Sequence, residues 1–216
     1  MRRGPVVLAV LVAACFGSGD SSTTTPADPA AGTYQEAFDT WSAALAAGDH
    51  DTAATVTEPS QISLLALAEG LSGAQVAGLT TADRNAVASN FWSGFVDQLG
   101  SGPDLPGLQV GEWTETTAGS RTFAIGALSR TSDSAALEVV FVEIDGRWSI
   151  DLLATFPSAL VNLVPDAAQV IRATGDSRLL EEMRSWRSSV ELVVERSGSD
   201  PRLNQAGLAA LESIVR

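Results

Sequence analysis

Leu137-Glu138-Val139-Val140-Phe141-Val142-Glu143-Ile144-Asp145-Gly146-Arg147-Trp148-Ser149-Ile150 is the stretch that decides the fold. Asp145-Gly146 joins two apolar runs, and a two-residue type I′ turn needs central residues that tolerate positive φ. An antiparallel hairpin of 135–144 with 147–154 is therefore expected. Counting outward from the turn sets Glu143 opposite Trp148, Phe141 opposite Ile150 and Val139 opposite Leu152 on one face. Val142 with Ser149 and Val140 with Asp151 fall on the other. The run 137–142 is largely apolar on both faces, the pattern of a strand covered on two sides. One face then takes helices that precede the sheet. The other needs the C-terminal segment or a second copy of the chain, a homodimer through the sheet face.

Upstream of the hairpin, strands are expected at 108–117 and 120–129. A turn at Ala118-Gly119 would set Glu112 opposite Ile125, Thr114 opposite Phe123 and Trp113 opposite Ala124. Before them, Tyr34, Phe38, Trp41 and Leu45 recur at helical spacing over 33–47, and Gly48 ends that helix. Asp49-His50-Asp51 reads as a polar turn, 52–56 as a short helix, 60–71 as a helix, and 83–99 as a wide-faced helix around Val87, Phe91, Trp92 and Phe95. The stretch 100–107, with three Gly and two Pro, is a connector; it carries no Lys and no phosphate-loop pattern. Downstream, Pro165-Asp166 opens a helix to Thr174, and Gly175 closes it. Asp176 caps another with Leu179, Met183, Trp186, Val190 and Val193 on one stripe, and Asp200-Pro201 starts the last. The expected class is α+β: N-terminal helices packed on a curved four-stranded antiparallel sheet (33–155), followed by C-terminal helices (156–216).

Composition narrows the function. Acidic residues outnumber basic ones by 26 to 13, so a surface that tracks phosphates would have to be built against the overall field, and nucleic acid is not an expected partner. All 13 basic residues are Arg. One Cys and one His rule out a disulfide framework and zinc sites made from Cys or His clusters, and no cofactor or metal is expected. There is no Ser-based nucleophile elbow.

The N-terminus reads as an address. Arg2 and Arg3 form a positive n-region, 6–14 a short apolar h-region, and Leu11-Val12-Ala13-Ala14-Cys15 resembles the lipobox of bacterial lipoproteins. Nine apolar residues fall well short of the roughly 20 that a spanning helix needs. The resemblance implies that 1–14 is a signal peptide, that Cys15 is lipidated and becomes the first mature residue, and that the protein is held at the outer side of the cell membrane. Removing 1–14 leaves 11 basic and 26 acidic residues, a formal charge of −15. Attachment to anionic lipid would then come from acyl chains and not from a basic patch. The stretch 16–32, rich in Gly, Ser, Thr, Pro and Asp, reads as a disordered tether.

A helix ending in Leu45-Ala46-Ala47-Gly48-Asp49, a short second helix and strands ending in Asp145-Gly146-Arg147-Trp148-Ser149-Ile150 resemble the nuclear-transport-factor-two-like superfamily. That resemblance implies helices folded against a curved sheet to make a cone, in a group holding ketosteroid-isomerase-like enzymes, dehydratases and many non-catalytic exported domains. Fold of this kind does not deliver function. The candidate pocket residues are Glu112, Trp113, Tyr34, Trp41, Phe141 and Trp148. Glu112 is the one acid set by register on an apolar sheet face, where desolvation suits a carboxyl group to acid–base work. A one-residue bulge would instead return it to solvent. His50 is expected in a solvated loop, Tyr34 as a half-buried member of its helix stripe, and the acids of Leu180-Glu181-Glu182-Met183 on a solvated helix face. The expected function is a non-catalytic extracytoplasmic binding domain for a protein, a cell-wall component or a small apolar ligand, with no catalytic residue assigned. The alternative is an isomerase- or hydrolase-like enzyme that uses the pocket carboxylate.

Overall fold

The computed structural model describes residues 32–98, 109–130, 133–198 and 201–215; the signal segment, Cys15, nearly all of the tether and the 100–107 connector lie outside them. The protein is α+β, with one four-stranded antiparallel sheet in the order β1-β2-β3-β4. Helices α1 (Tyr34–Ala47), α2 (His50–Thr55), α3 (Ile62–Ala68), α4 (Gly73–Ala77) and α5 (Thr81–Gln98) precede it. The strands are β1 (Gln109–Ala118), β2 (Arg121–Arg130), β3 (Asp133–Ile144) and β4 (Arg147–Ile150). Helices α6 (Leu152–Thr155), α7 (Pro157–Leu160), α8 (Val164–Thr174), α9 (Ser177–Arg196) and α10 (Pro201–Val215) follow.

Local chemistry accounts for the long helices. Thr33 and Glu36 close a capping box on α1, and Gly48, with φ of 70°, ends it by returning its N–H to the last turn. Gly175 ends α8 in the same left-handed conformation, and the Asp176 carboxylate accepts the Leu179 N–H to start α9. The β3–β4 hairpin turns on Asp145 (φ 51°) and Gly146 (φ 78°), and pairs Glu143 with Trp148, Val142 with Ser149 and Phe141 with Ile150, as its turn chemistry requires.

Four expectations are corrected. Strand β4 stops at Ile150 instead of running to 154, because the Asp151 carboxylate accepts the Ala154 N–H at 2.8 Å and starts a helical turn there. Val139 therefore has no partner in Leu152, although the Asp151 N–H still donates to the Val140 carbonyl at 2.8 Å. The β1–β2 turn is Gly119-Ser120, with Gly119 at φ 57° in the first central position that a type II′ turn reserves for glycine. Thr114 thus faces Ile125 and Thr116 faces Phe123, a shift of two residues that leaves every side chain on its expected face. The expected helix over 60–71 is a 3₁₀ turn (Pro59–Gln61) followed by α3, and His50 begins α2 instead of lying in a loop. Helices α4, capped by Ser72 and Gln75, and α7 were not expected at all.

Both faces of the sheet are covered. Ala124, Leu128, Val139, Phe141 and Ile150 join one large core with α1, α3, α5, α8 and α9. Phe123, Ile125, Val140 and Val142 form a second, smaller core on the opposite face, closed by Leu192 of α9. The free edge of β4 is also occupied: Ile150 donates its N–H to the Val56 carbonyl at 2.7 Å and accepts the Glu58 N–H at 2.9 Å, forming a one-residue parallel bridge at Thr57. This bridge brings Glu58 to the end of the sheet beside Asp151.

Candidate functional site

The six sequence-selected pocket residues divide between the two faces. Five of them lie on the side of α1. Tyr34 meets Trp113 at 5.0 Å and, edge-on, Trp148 at 5.2 Å between ring centroids; Trp113 meets Phe141 at 5.8 Å and Phe38 at 5.9 Å. Phe38 continues the cluster to Trp41 at 6.0 Å, and Trp41 to Trp92 at 5.4 Å. These spacings are those of aromatic side chains packed on one another. Polar tips on this side are few: the Trp113 indole N–H donates to Gln35 Oε1 at 2.7 Å and that of Trp92 to Thr57 Oγ1 at 2.8 Å, while the buried Trp41 Nε1 has no hydrogen-bond partner among the described residues. Tyr34 and Trp148 are half-buried.

Glu112 lies on the opposite face, in the segment between Val110 and Trp113 where the β1–β2 register shifts, and it is exposed. It stands at the rim of a cleft of about 320 Å³ formed with the C-terminal part of α9. Ile125 and Leu192 make the buried floor of that cleft, and the hydroxyl-bearing Thr114 and Thr116 line its β1 side. Across from them Arg196 Nη2 donates to both carboxylate oxygens of Glu138 at 2.8 Å, so this cation is already neutralised; Glu195 adds a further acid.

A third feature was not legible from the sequence: a buried polar seam that ties the 57–63 segment to α6 and α9. Glu58 is 1% exposed and Asp151 0%. Glu58 Oε2 accepts the Ser60 hydroxyl at 2.5 Å and the Gln61 N–H at 2.9 Å, and Oε1 faces the Arg121 guanidinium at 3.4 Å. Asp151 accepts the Ser189 hydroxyl at 2.5 Å besides capping α6. Gln61 Oε1 accepts the N–H groups of Leu152 at 2.7 Å and Leu153 at 3.1 Å, while its amide donates to Ser189 at 3.3 Å. Desolvation pushes the Glu58 carboxyl above the usual carboxylate range and repulsion from Asp151 adds to it, against the opposing pull of Ser60, Arg121 and the Gln61 N–H. Desolvation raises Asp151 in the same way, opposed chiefly by Ser189. Helical phase gave the one available clue. Ser189 lies three residues after Trp186 and one before Val190, on the apolar stripe of α9, where a polar residue needs a buried partner.

The seam ends in a surface network that overturns the solvated reading of Glu182. Its carboxylate takes Arg178 at 2.7 Å and Arg84 at 3.1 Å and also accepts the Ser63 hydroxyl, whereas Glu181 does stay exposed and pairs with Arg184 at 2.7 Å. His50 is half-buried at the first position of α2, with Nε2 buried and without a hydrogen-bond partner among the described residues.

Chemically, the seam is closed. Each carboxylate is committed to hydroxyl and backbone donors inside the core, and Glu58 to Arg121 as well; among the described residues the serine hydroxyls bond to acids with no imidazole beside them. Among the described residues no group of three or more His, Cys, Asp or Glu side chains is placed to hold a metal ion, and no helix is long and apolar enough to cross a membrane. Comparison with known protein families, with curated proteins and with solved structures finds no match for the chain.

Proposed function

We propose that this chain is an extracytoplasmic lipoprotein, held to the cell membrane by a lipid on Cys15, whose α+β domain binds a protein or cell-envelope partner and carries out no reaction. The observation that supports binding over catalysis is the separation of the candidate pocket into two halves. On the helix-covered face, where a cone of the nuclear-transport-factor-two-like kind would keep its reaction chamber, Tyr34, Trp113, Phe141 and Trp148 pack on one another. Glu112, the acid such a chamber would use, is exposed on the other face. The fully buried carboxyl groups, Glu58 and Asp151, are 1% and 0% exposed and out of reach of a substrate. What the α9 side of the sheet offers instead is an open cleft with charged and apolar lining, the general form of a recognition surface. The cone itself is part of this reading, supported by α1 lying on the aromatic face of the sheet.

The anchor is tested directly. In detergent-phase partitioning of washed membranes, wild-type protein is expected in the detergent phase, and Cys15→Ala in the aqueous phase or as an unprocessed precursor. Equal retention of both in the detergent phase would refute lipid attachment.

A further inference from the structure

Two buried acids, Glu58 and Asp151, share one cation. Among the described residues the charged groups that face this pair are Arg121, from β2, and each acid for the other. From α9 the pair meets hydroxyls, since Ser185 donates to Ser60 Oγ at 2.7 Å and Ser189 to Asp151. The charged side chains of α9 on either side are already paired: Glu182 with Arg84 and Arg178, Arg184 with Glu181, and Arg187 with Glu191. With both acids ionised, one negative charge would stand uncompensated in the interior, where an unpaired charge is least tolerated. Hydrogen-bond chemistry decides which acid gives up its charge. Glu58 meets groups that can only donate, the Gln61 N–H at 2.9 Å on Oε2 and the Arg121 guanidinium at 3.4 Å on Oε1, so a proton on either oxygen would point at a donor. Asp151 Oδ2 instead meets the Ser189 hydroxyl at 2.5 Å, and a hydroxyl oxygen can accept as well as donate. Ser189 Oγ accepts the Gln61 amide at 3.3 Å and has a second lone pair for an Asp151 proton. This contact lies one turn of α9 before Leu192, which closes the second core over Phe123, Ile125, Val140 and Val142.

We propose that Glu58 and Asp151 hold a single proton between them, seated on Asp151, and that its loss parts α9 from α6 and the 57–63 segment while the main core stays folded. The step is an acid dissociation: the Asp151 O–H bond breaks, its electron pair stays on Oδ2, and the proton leaves to solvent. Two carboxylates then share Arg121, and separating Ser189 from Asp151 relieves them by letting water in. Burial raises the proton affinity of both acids, so the seam is closed at low pH and opens as pH rises through the folded value. The surface uncovered is the small apolar core under Leu192. Neither what the domain binds nor the lipid on Cys15 enters this inference.

The test follows amide hydrogen exchange by NMR in the full-length, nitrogen-15-labelled chain between pH 5 and pH 8, each rate divided by that of the same amide in an unstructured peptide. The N–H groups of Gln61, Leu152, Leu153 and Ala154 report on the seam directly, being bonded to Glu58, Gln61 and Asp151. Their protection is expected to fall with pH, by at most about tenfold per unit, the limit for one proton. Any opening that releases the proton gains from rising pH, global unfolding included. A latch is marked by seam amides that exchange about tenfold or more ahead of those of α1 at pH 8, at rates that low urea leaves unchanged, since a local opening exposes little surface. Carboxyl-carbon signals, assigned with Asp151→Asn and Glu58→Gln, should show Asp151 protonated and Glu58 ionised at pH 5. Asp151→Asn presents an N–H to Ser189 where the protonated acid presents its O–H, and should keep the seam closed at pH 8. His50→Gln is the control, because histidine is the side chain that ordinarily changes charge near neutral pH; it should leave the dependence intact. An ionised Asp151 at pH 5, a wild-type seam that ignores pH, or seam amides that exchange together with those of α1 would each overturn the proposal. So would wild-type pH dependence in Asp151→Asn, or its loss in His50→Gln. The exchange measurements need only the wild type, so a variant that fails to fold leaves the question decidable.

Discussion

Gln61 shows how much one buried amide can hold. Its carbonyl oxygen serves both free N–H groups at the start of α6, and its NH₂ reaches a serine 128 positions away on α9. Gln61→Leu keeps the volume nearly constant and strands two buried N–H donors. It is expected to cost about 2–4 kcal/mol in urea denaturation, since each unpaired buried donor costs about 1–3 kcal/mol. A loss under about 0.5 kcal/mol, ordinary for a surface change, would mean that the seam does not form. The neighbouring acids set a pH dependence of unusual sign. A carboxyl group whose folded value is raised holds its proton more tightly in the folded chain. Its contribution is full below the unfolded values, 4.5 for Glu58 and 3.8 for Asp151, and is lost as pH rises through the folded ones. The urea midpoint should thus be higher at pH 5 than at pH 8. Half-buried Glu69, raised by desolvation, acts in the same sense, so the discriminating comparison is Glu58→Gln/Asp151→Asn, in which most of the dependence should vanish. A wild-type midpoint that falls between pH 8 and pH 5 contradicts this account.

At the scale of elements, β1 and α9 carry the consequences. The irregular register between Val110 and Trp113 lets both side chains close over Gly126: a Cβ there would come within 2.3 Å of Val110 Cγ2 and 2.8 Å of Trp113 Cζ3. Gly126→Ala must push the Trp113 ring off its contacts with Tyr34 and Phe141 and should destabilise by about 1–3 kcal/mol, the usual cost of overpacking. Gly111→Ala, on the same strand pair, meets nothing closer than a carbonyl oxygen at 3.7 Å and should be near neutral by the same measurement. Equal effects of the two would mean that Trp113 does not lie over Gly126. Helix α9 is buried on two sides. Leu179, Met183, Trp186, Val190 and Val193 join the main core, and Leu192 closes the second core under the sheet. The apolar stripe of α9 was plain in its spacing. Its second face was not, because Ser188 and Leu192 lie off that stripe, and only the sheet packed over α9 makes those positions interior.

Across the whole molecule, the helices after residue 156 are part of the same core as those before the sheet. Trp186 donates its indole N–H to the Ser60 carbonyl at 3.1 Å, and Ile171, Leu179 and Val190 pack with residues of α1, α3 and α5. A chain ending at 156 would expose the second sheet face and leave Glu58 and Gln61 without α9. It is expected to lack a cooperative thermal transition by circular dichroism; a sharp transition with wild-type sheet content would show that 33–155 stands alone. The sequence alone determined what depends on neighbours in the chain: the Asp145-Gly146 hairpin and its register, the ends of α1 and α8 at Gly48 and Gly175, and the stripe of α9. Turn conformation and side-chain periodicity are local and leave their mark on consecutive residues. Tertiary structure alone decided that β4 stops at Asp151, that the C-terminal part of α9 lies over the face that carries Glu112, and that Glu58, Gln61, Asp151 and Ser189 meet. Those outcomes turn on hydrogen-bond partners and on packing between residues far apart in the chain. A single polar residue in a sequence carries no sign of the partner that will let it be buried.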